Sequence, residues 1–97
     1  MEDIRRYRRE AELLKALAHP ARLCIVRGLI EQGCNVTAIK DCLGLPQSTV
    51  SQHLAVLRAH GIVEGKRRGT EVAYNVVDER IRRIVEILLP EAPAKQA

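Results

Sequence analysis

The residues Gln47, Ser48, Thr49, Ser51, Gln52 and His53 crowd six hydrogen-bonding side chains into seven positions, and none is a carboxylate, lysine or arginine. A glutamine amide can pair bidentately with adenine, and a hydroxyl can serve any base or a phosphate. This is the chemistry of reading base-pair edges, whereas an ordinary solvated face would carry Glu and Lys. A second group, Lys66, Arg67 and Arg68, places three cations in a row. Such a run neutralises backbone phosphates or enters a minor groove; the plainer reading is a solvated turn that only aids solubility. His53 lies at the edge of the polar group, where a phosphate contact and a packing role are equally compatible with its position.

The third chemistry is that of thiols. Cys24 falls on a largely apolar segment and is expected to be a small buried hydrophobe. Cys34 stands at an expected helix start, a position that lowers a thiol pKa. Cys42 follows eight residues later. At 1.5 Å per residue the two Cα atoms stand about 12 Å apart in a helix, beyond the roughly 7 Å a disulfide spans. A Cys34–Cys42 bond therefore requires that helix to unwind. Pairing of Cys24 with either, or pairing between subunits, stays open, as does the reading in which all three are inert. A soft metal, reactive sulfur or an oxidant remains a candidate effector; no cofactor is expected.

These residues need elements to hold them. Residues 3–17 repeat apolar positions at helical spacing, with Ile4, Tyr7, Ala11, Leu14 and Leu17 or Ala18 on one face. Ala18-His19-Pro20 breaks that helix. A second runs from Pro20 to Gln32, with Gly33 after it; Leu23, Ile25, Val26, Leu29 and Ile30 nearly encircle it, so it should be central. Asn35 suits the N-cap of a short third helix, Val36 to Leu43. Gly44-Leu45 turns into a fourth helix whose first helical residue is expected to be Pro46. Its stripe is Val50, Leu54 and Leu57, and Gly61 closes it in the left-handed conformation.

The period then changes to two. Residues 62–66 and 71–77 read as strands, with Arg67-Arg68-Gly69-Thr70 as the hairpin tip. Asp78 can cap a last helix carrying Ile81, Ile84, Val85, Leu88 and Leu89, stopped by Pro90 and Pro93. The expected fold is mainly α with a β-hairpin wing, in the order α-α-α-α-β-β-α: a winged helix-turn-helix. Residues 1–90 form the domain, and 91–97 a disordered tail. The two terminal helices carry more apolar surface than one small domain can cover. A symmetric dimer joined through Leu14, Ile81, Ile84, Val85 and Leu88 would bury it.

Composition narrows the function. The 97 residues carry 16 Lys+Arg against 12 Asp+Glu, a formal charge of +4 that leans towards polyanions. With no Trp or Phe and two Tyr, the chain lacks the stacking platforms of single-strand and RNA binders. No nucleophile–base pair, Gly-rich phosphate loop or metal-ligand cluster points to an enzyme. No apolar run approaches the ~20 residues of a membrane span, and the opening MEDIRRYRRE has no signal-peptide core, so a cytoplasmic location is expected. The Arg5, Arg6, Arg8, Arg9 cluster reads as a solvated face, partly paired with Glu2, Glu10 and Glu12.

Three pieces together, ALAHPARL at the second helix, QSTVSQHL at the fourth and LRAHGIV followed by RRGTEVAY, resemble the ArsR/SmtB family of bacterial winged-helix repressors over residues 10–89. The resemblance implies a homodimer on double-stranded operator DNA with two-fold symmetry, the fourth helix contacting DNA through the six polar residues above. It also implies two metal sites that this chain lacks. The third-helix box, roughly CVCDL in the family, is here Asn35-Val36-Thr37-Ala38-Ile39. On the last helix Asp78 is present, but Arg80 replaces the histidine, and Arg83 and Glu86 follow without a second one. The expected function is thus a dimeric, non-enzymatic repressor on a palindromic operator. Release by cysteine oxidation or a thiophilic ligand, and control without any thiol switch, stand as alternatives. A protein-interaction module docking an acidic partner is the reading of another class.

Overall fold

The computed structural model describes residues 3–32 and 43–90. Helix α1 spans Ile4–Leu17. Asp3 caps it, its Oδ1 accepting from the Arg5 amide at 2.9 Å. That helix ends at Ala18, whose amide still donates to the Leu14 carbonyl at 2.9 Å. Helix α2 spans Pro20–Gln32, the bounds expected from Pro20 and Gly33. Its cap is His19, whose Nδ1 accepts the Ala21 amide at 3.1 Å, a role that no residue pattern in the sequence announces. Residues 33–42 lie outside the described residues, and with them Cys34, Cys42, Asn35 and the expected third helix up to Leu43.

Helix α3 spans Gln47–Ala59. Pro46 is its N-cap and not its first helical residue: ψ of 146° keeps it extended, and its carbonyl accepts from Thr49 and Val50 at 3.0 and 3.1 Å. Val50, Leu54 and Leu57 are all at most 1% exposed. Gly61 follows with φ of +73°, as a left-handed helix end requires. There the chain turns straight into a hairpin: the Ile62 amide donates to the Leu57 carbonyl at 3.0 Å, and the Val77 amide to the Ile62 carbonyl at 2.9 Å. Strands β1 (Val63–Arg68) and β2 (Glu71–Val76) pair antiparallel, with Arg67 opposite Val72 and Arg68 opposite Glu71.

This corrects the expected tip. Arg67 and Arg68 belong to the ladder, and the connection is Gly69-Thr70 alone. A two-residue loop needs positive φ at its first central position, which Gly69 supplies at +64°, so no further residue has to leave the strands.

Helix α4 spans Glu79–Leu88. Asp78 caps it as expected, accepting from the Arg80 and Ile81 amides at 2.9 and 3.2 Å. Burial alone would raise the Asp78 pKa. The Ile81 amide, the Arg80 guanidinium and the Arg80 amide outweigh that and hold it below the ordinary carboxylate value.

The core gathers Ala16 and Leu17 of α1, Ile25, Val26 and Leu29 of α2, the α3 stripe, Ile62, Val63, Val76, and Ile81 and Val85 of α4. Ile4, Tyr7, Ala11 and Leu14 of the expected α1 face are exposed in the protomer, while Leu17 of that face joins Leu13 and Ala16 against the core. Two expectations change here. Ile81 and Val85, expected at a dimer seam, are 0% and 1% exposed within the protomer and have no surface left for a partner. Cys24 is exposed, not buried. It shares its side of α2 with Pro20 and Glu31, four residues before and seven after, both also exposed. Among the described residues one charged side chain is buried: Arg27 is 8% exposed and donates through Nε to Glu31 Oε1 at 2.9 Å, one turn on.

Two measurements follow from this packing. Ile81→Ala should cost about 2–5 kcal/mol in urea unfolding, the value for a fully buried aliphatic side chain; a cost below about 1 kcal/mol would return Ile81 to a surface role. Asp78→Ala should cost about 1 kcal/mol at neutral pH through the lost cap. Because the folded carboxyl titrates below its unfolded value of about 3.9, that stabilisation is present above the unfolded pKa. The difference between the two proteins should therefore shrink as pH falls through the folded pKa.

Candidate nucleic-acid interface

The burial of Val50, Leu54 and Leu57 fixes the rotation of α3 about its axis. Residues a half-turn away must then face outward, and Gln47, Ser48, Ser51 and Gln52 are all exposed. Thr49 and His53 are half-buried at the edge of that face. The polar surface carries no carboxylate, so a polyanion can approach it without repulsion, and its amides and hydroxyls can both donate and accept.

The wing stands beside it. Lys66, Arg67 and Arg68 are exposed along β1. Lys66 Nζ lies 3.9 Å from Glu64, a loose pair with both side chains at least half exposed. Such a pair adds little and does not tie up the cation. The hydrogen bonds at Ile62 fasten the hairpin base to the end of α3, so helix and wing share one rigid corner. Of the Arg5, Arg6, Arg8, Arg9 cluster, all exposed, Arg5 pairs with Asp3 at 3.2 Å.

His53 sits at the seam with α2. Arg22 Nε donates to its Nδ1 at 3.2 Å, and the His19 ring centroid lies 4.7 Å away. Burial first, then His19 and Arg22, hold the His53 pKa below the ordinary imidazole value. Nothing in the local sequence pattern announces this contact, because Arg22 and His53 are 31 residues apart.

The last-helix positions that hold metal in the resembled family are used differently. Arg80 bridges Asp78 and Glu10, fastening the start of α4 to α1. Arg83 pairs with Glu79 at 3.8 Å, one turn back on the same helix. Among the described residues, no group of three or more His, Cys, Asp or Glu side chains is placed to hold a metal ion. Nor is any helix among them long and apolar enough to cross a membrane.

Residues 17–66, which include the polar α3 face and the start of the wing, match a helix-turn-helix domain family. The transcriptional repressor PagR of Bacillus anthracis is 44% identical over 82 residues, covering 84% of this chain and 82% of PagR. Its crystal structure superposes with a TM-score of 0.79 over 90% of this chain and 100% of that one, at 40% identity. The HTH-type transcriptional repressor SmtB of Mycobacterium tuberculosis is 47% identical over 76% of this chain, which spans 55% of SmtB's length. A homodimeric winged helix-turn-helix DNA-binding domain from Mycobacterium bovis, a possible ArsR-family regulator, gives a TM-score of 0.80 at 30% identity over 91% of this chain and 83% of its own. The architecture, the polar α3 face and these likenesses agree: the chain belongs to the ArsR/SmtB family of winged helix-turn-helix transcriptional repressors.

Proposed function

We propose that this chain represses transcription as a homodimer on a palindromic operator. Gln47, Ser48, Thr49, Ser51 and Gln52 read base edges, His53 flanks them, and Lys66, Arg67 and Arg68 neutralise phosphates. The observation that carries this is the α3 stripe, buried to at most 1% exposure, which leaves an uncharged polar face beside a cationic strand. PagR and SmtB are named as repressors, and the Mycobacterium bovis domain is described as homodimeric. The surface left for self-association supports the same state: Tyr7 and Leu14 on α1 are 50% and 49% exposed, and Ile87 and Leu88 on α4 are 76% and 60% exposed. These residues, with half-buried Ile84, take the place of Ile81 and Val85 at the seam.

The test is equilibrium binding of the purified protein to a duplex from its own promoter and to a random duplex across a salt series. The promoter duplex should bind at least 10³-fold tighter. Gln52→Ala should narrow that gap by about 1–3 kcal/mol. Replacing Lys66, Arg67 and Arg68 together by alanine should weaken both duplexes alike and flatten the salt slope by about one for each phosphate no longer neutralised. Equal affinity for the two duplexes at moderate salt would reject the repressor reading. An acidic protein captured in place of DNA would favour an interaction module.

Release by a thiol reaction is a narrower proposal. Cys24 is an exposed residue, and Cys34 and Cys42 lie between α2 and α3 in the chain. If thiols govern release, oxidant should lower promoter affinity in the wild type, and Cys34→Ser with Cys42→Ser should abolish the response. An undiminished response in the double variant excludes that pair.

A further inference from the structure

The ALAHPARL stretch, residues 16–23, takes no part in base reading or in the wing, yet its polar side chains converge on the edge of α3. Arg22 is half-buried on the first turn of α2. Its Nε donates to His53 Nδ1 at 3.2 Å and its Nη1 to the Ala16 carbonyl at 3.2 Å. The His19 ring lies against the His53 ring, centroids 4.7 Å apart and planes inclined by 54°.

Hydrogen bonding fixes the proton on both rings. His19 Nδ1 accepts from the Ala21 amide, and His53 Nδ1 accepts from Arg22. An imidazole nitrogen that accepts carries no hydrogen, so in each neutral ring the proton resides on Nε2. Arg22 has five N–H donors in all and uses two of them here. The cluster therefore offers donors and no acceptor. Among the described residues, none of the three side chains has a carboxylate within salt-bridge distance. An anionic, purely accepting group is what such donors would hold, and the cluster lies beside α3 at the positive end of α2.

We propose that His19, Arg22 and His53 form a seat for one DNA backbone phosphate at the flank of α3. Arg22 supplies the charge, and the two Nε2–H groups supply directed hydrogen bonds. This rests on the DNA-binding reading above and deepens it. The seat carries no sequence information; it sets how far α3 enters the groove and at what angle.

The seat uses His53 as a neutral ring: a second proton would go to Nδ1, which already accepts from Arg22, and burial, His19 on the turn before α2 and Arg22 on α2 all disfavour the imidazolium.

The experiment is imidazole ¹H–¹⁵N spectroscopy on the full chain, alone and with the promoter or random duplex, combined with binding across salt. The Nε2 resonances of His19 and His53 should shift with both duplexes. Arg22→Gln should bind both about tenfold more weakly, with a salt slope smaller by about one and an unchanged preference between them. His19→Asn keeps a side chain able to cap α2 but loses the imidazole. It should melt like the wild type and bind both duplexes more weakly. Unchanged histidine Nε2 resonances while the α3 amides shift would overturn the phosphate seat and leave the DNA reading standing. No shift anywhere with either duplex would overturn both.

Discussion

The rotation of one helix about its own axis decides what this molecule can do. Val50, Leu54 and Leu57 lie within about 60° of one another around α3, and together their burial is worth roughly 5–9 kcal/mol. No competing rotation recovers that energy, since turning the helix would expose three aliphatic side chains and bury amides and hydroxyls without partners. The polar face therefore needs no other device to point outward. Ile62, with no exposed surface, closes the end of the same stripe and carries the hairpin with it. The placement of the wing is a further result of packing that helix.

On the proposed reading, affinity and discrimination fall to different residues. The α3 face is uncharged and can distinguish bases only where its geometry fits. The strand cations and the Arg22 cluster are charged and would hold any duplex. Phosphate contacts position while base contacts specify, so the rigid corner at Gly61 and Ile62 matters to both. On that reading it would convert a grip on the backbone into a fixed register for Gln47 to Gln52. The bridge from Arg80 to Glu10 and Asp78 acts similarly at the other end, holding α4 against α1 with a cation that belongs to the chain itself.

Where local pattern dominates, the sequence is a good guide. The bounds of α2, the Asp78 cap, the left-handed Gly61 and the buried stripe of α3 all follow from residue types within a turn or two. The failures have a common cause in contacts made at long range. Cys24 reads as buried because its helix is apolar on most sides, but that reasoning cannot say which narrow side stays open. Ile81 and Val85 read as interface because a small domain has little surface to cover α4, yet α2 packs against α4 and both residues join the common core. Arg22 and His53 meet across 31 residues, and no periodicity within either helix encodes the meeting. The arginines of the wing are misplaced for a local reason: polar composition suggests a broad tip where one glycine is enough.

That last point gives the wing a handedness of function. In a strand, neighbouring side chains project to opposite faces and alternate ones share a face. Because Lys66, Arg67 and Arg68 all lie within the paired register, Lys66 and Arg68 project from one flank of the ribbon and Arg67 from the other. Three adjacent cations in the sequence are therefore not one patch in space. The ribbon is like a blade with two unlike sides, and a duplex lying against one of them meets either two charges or one.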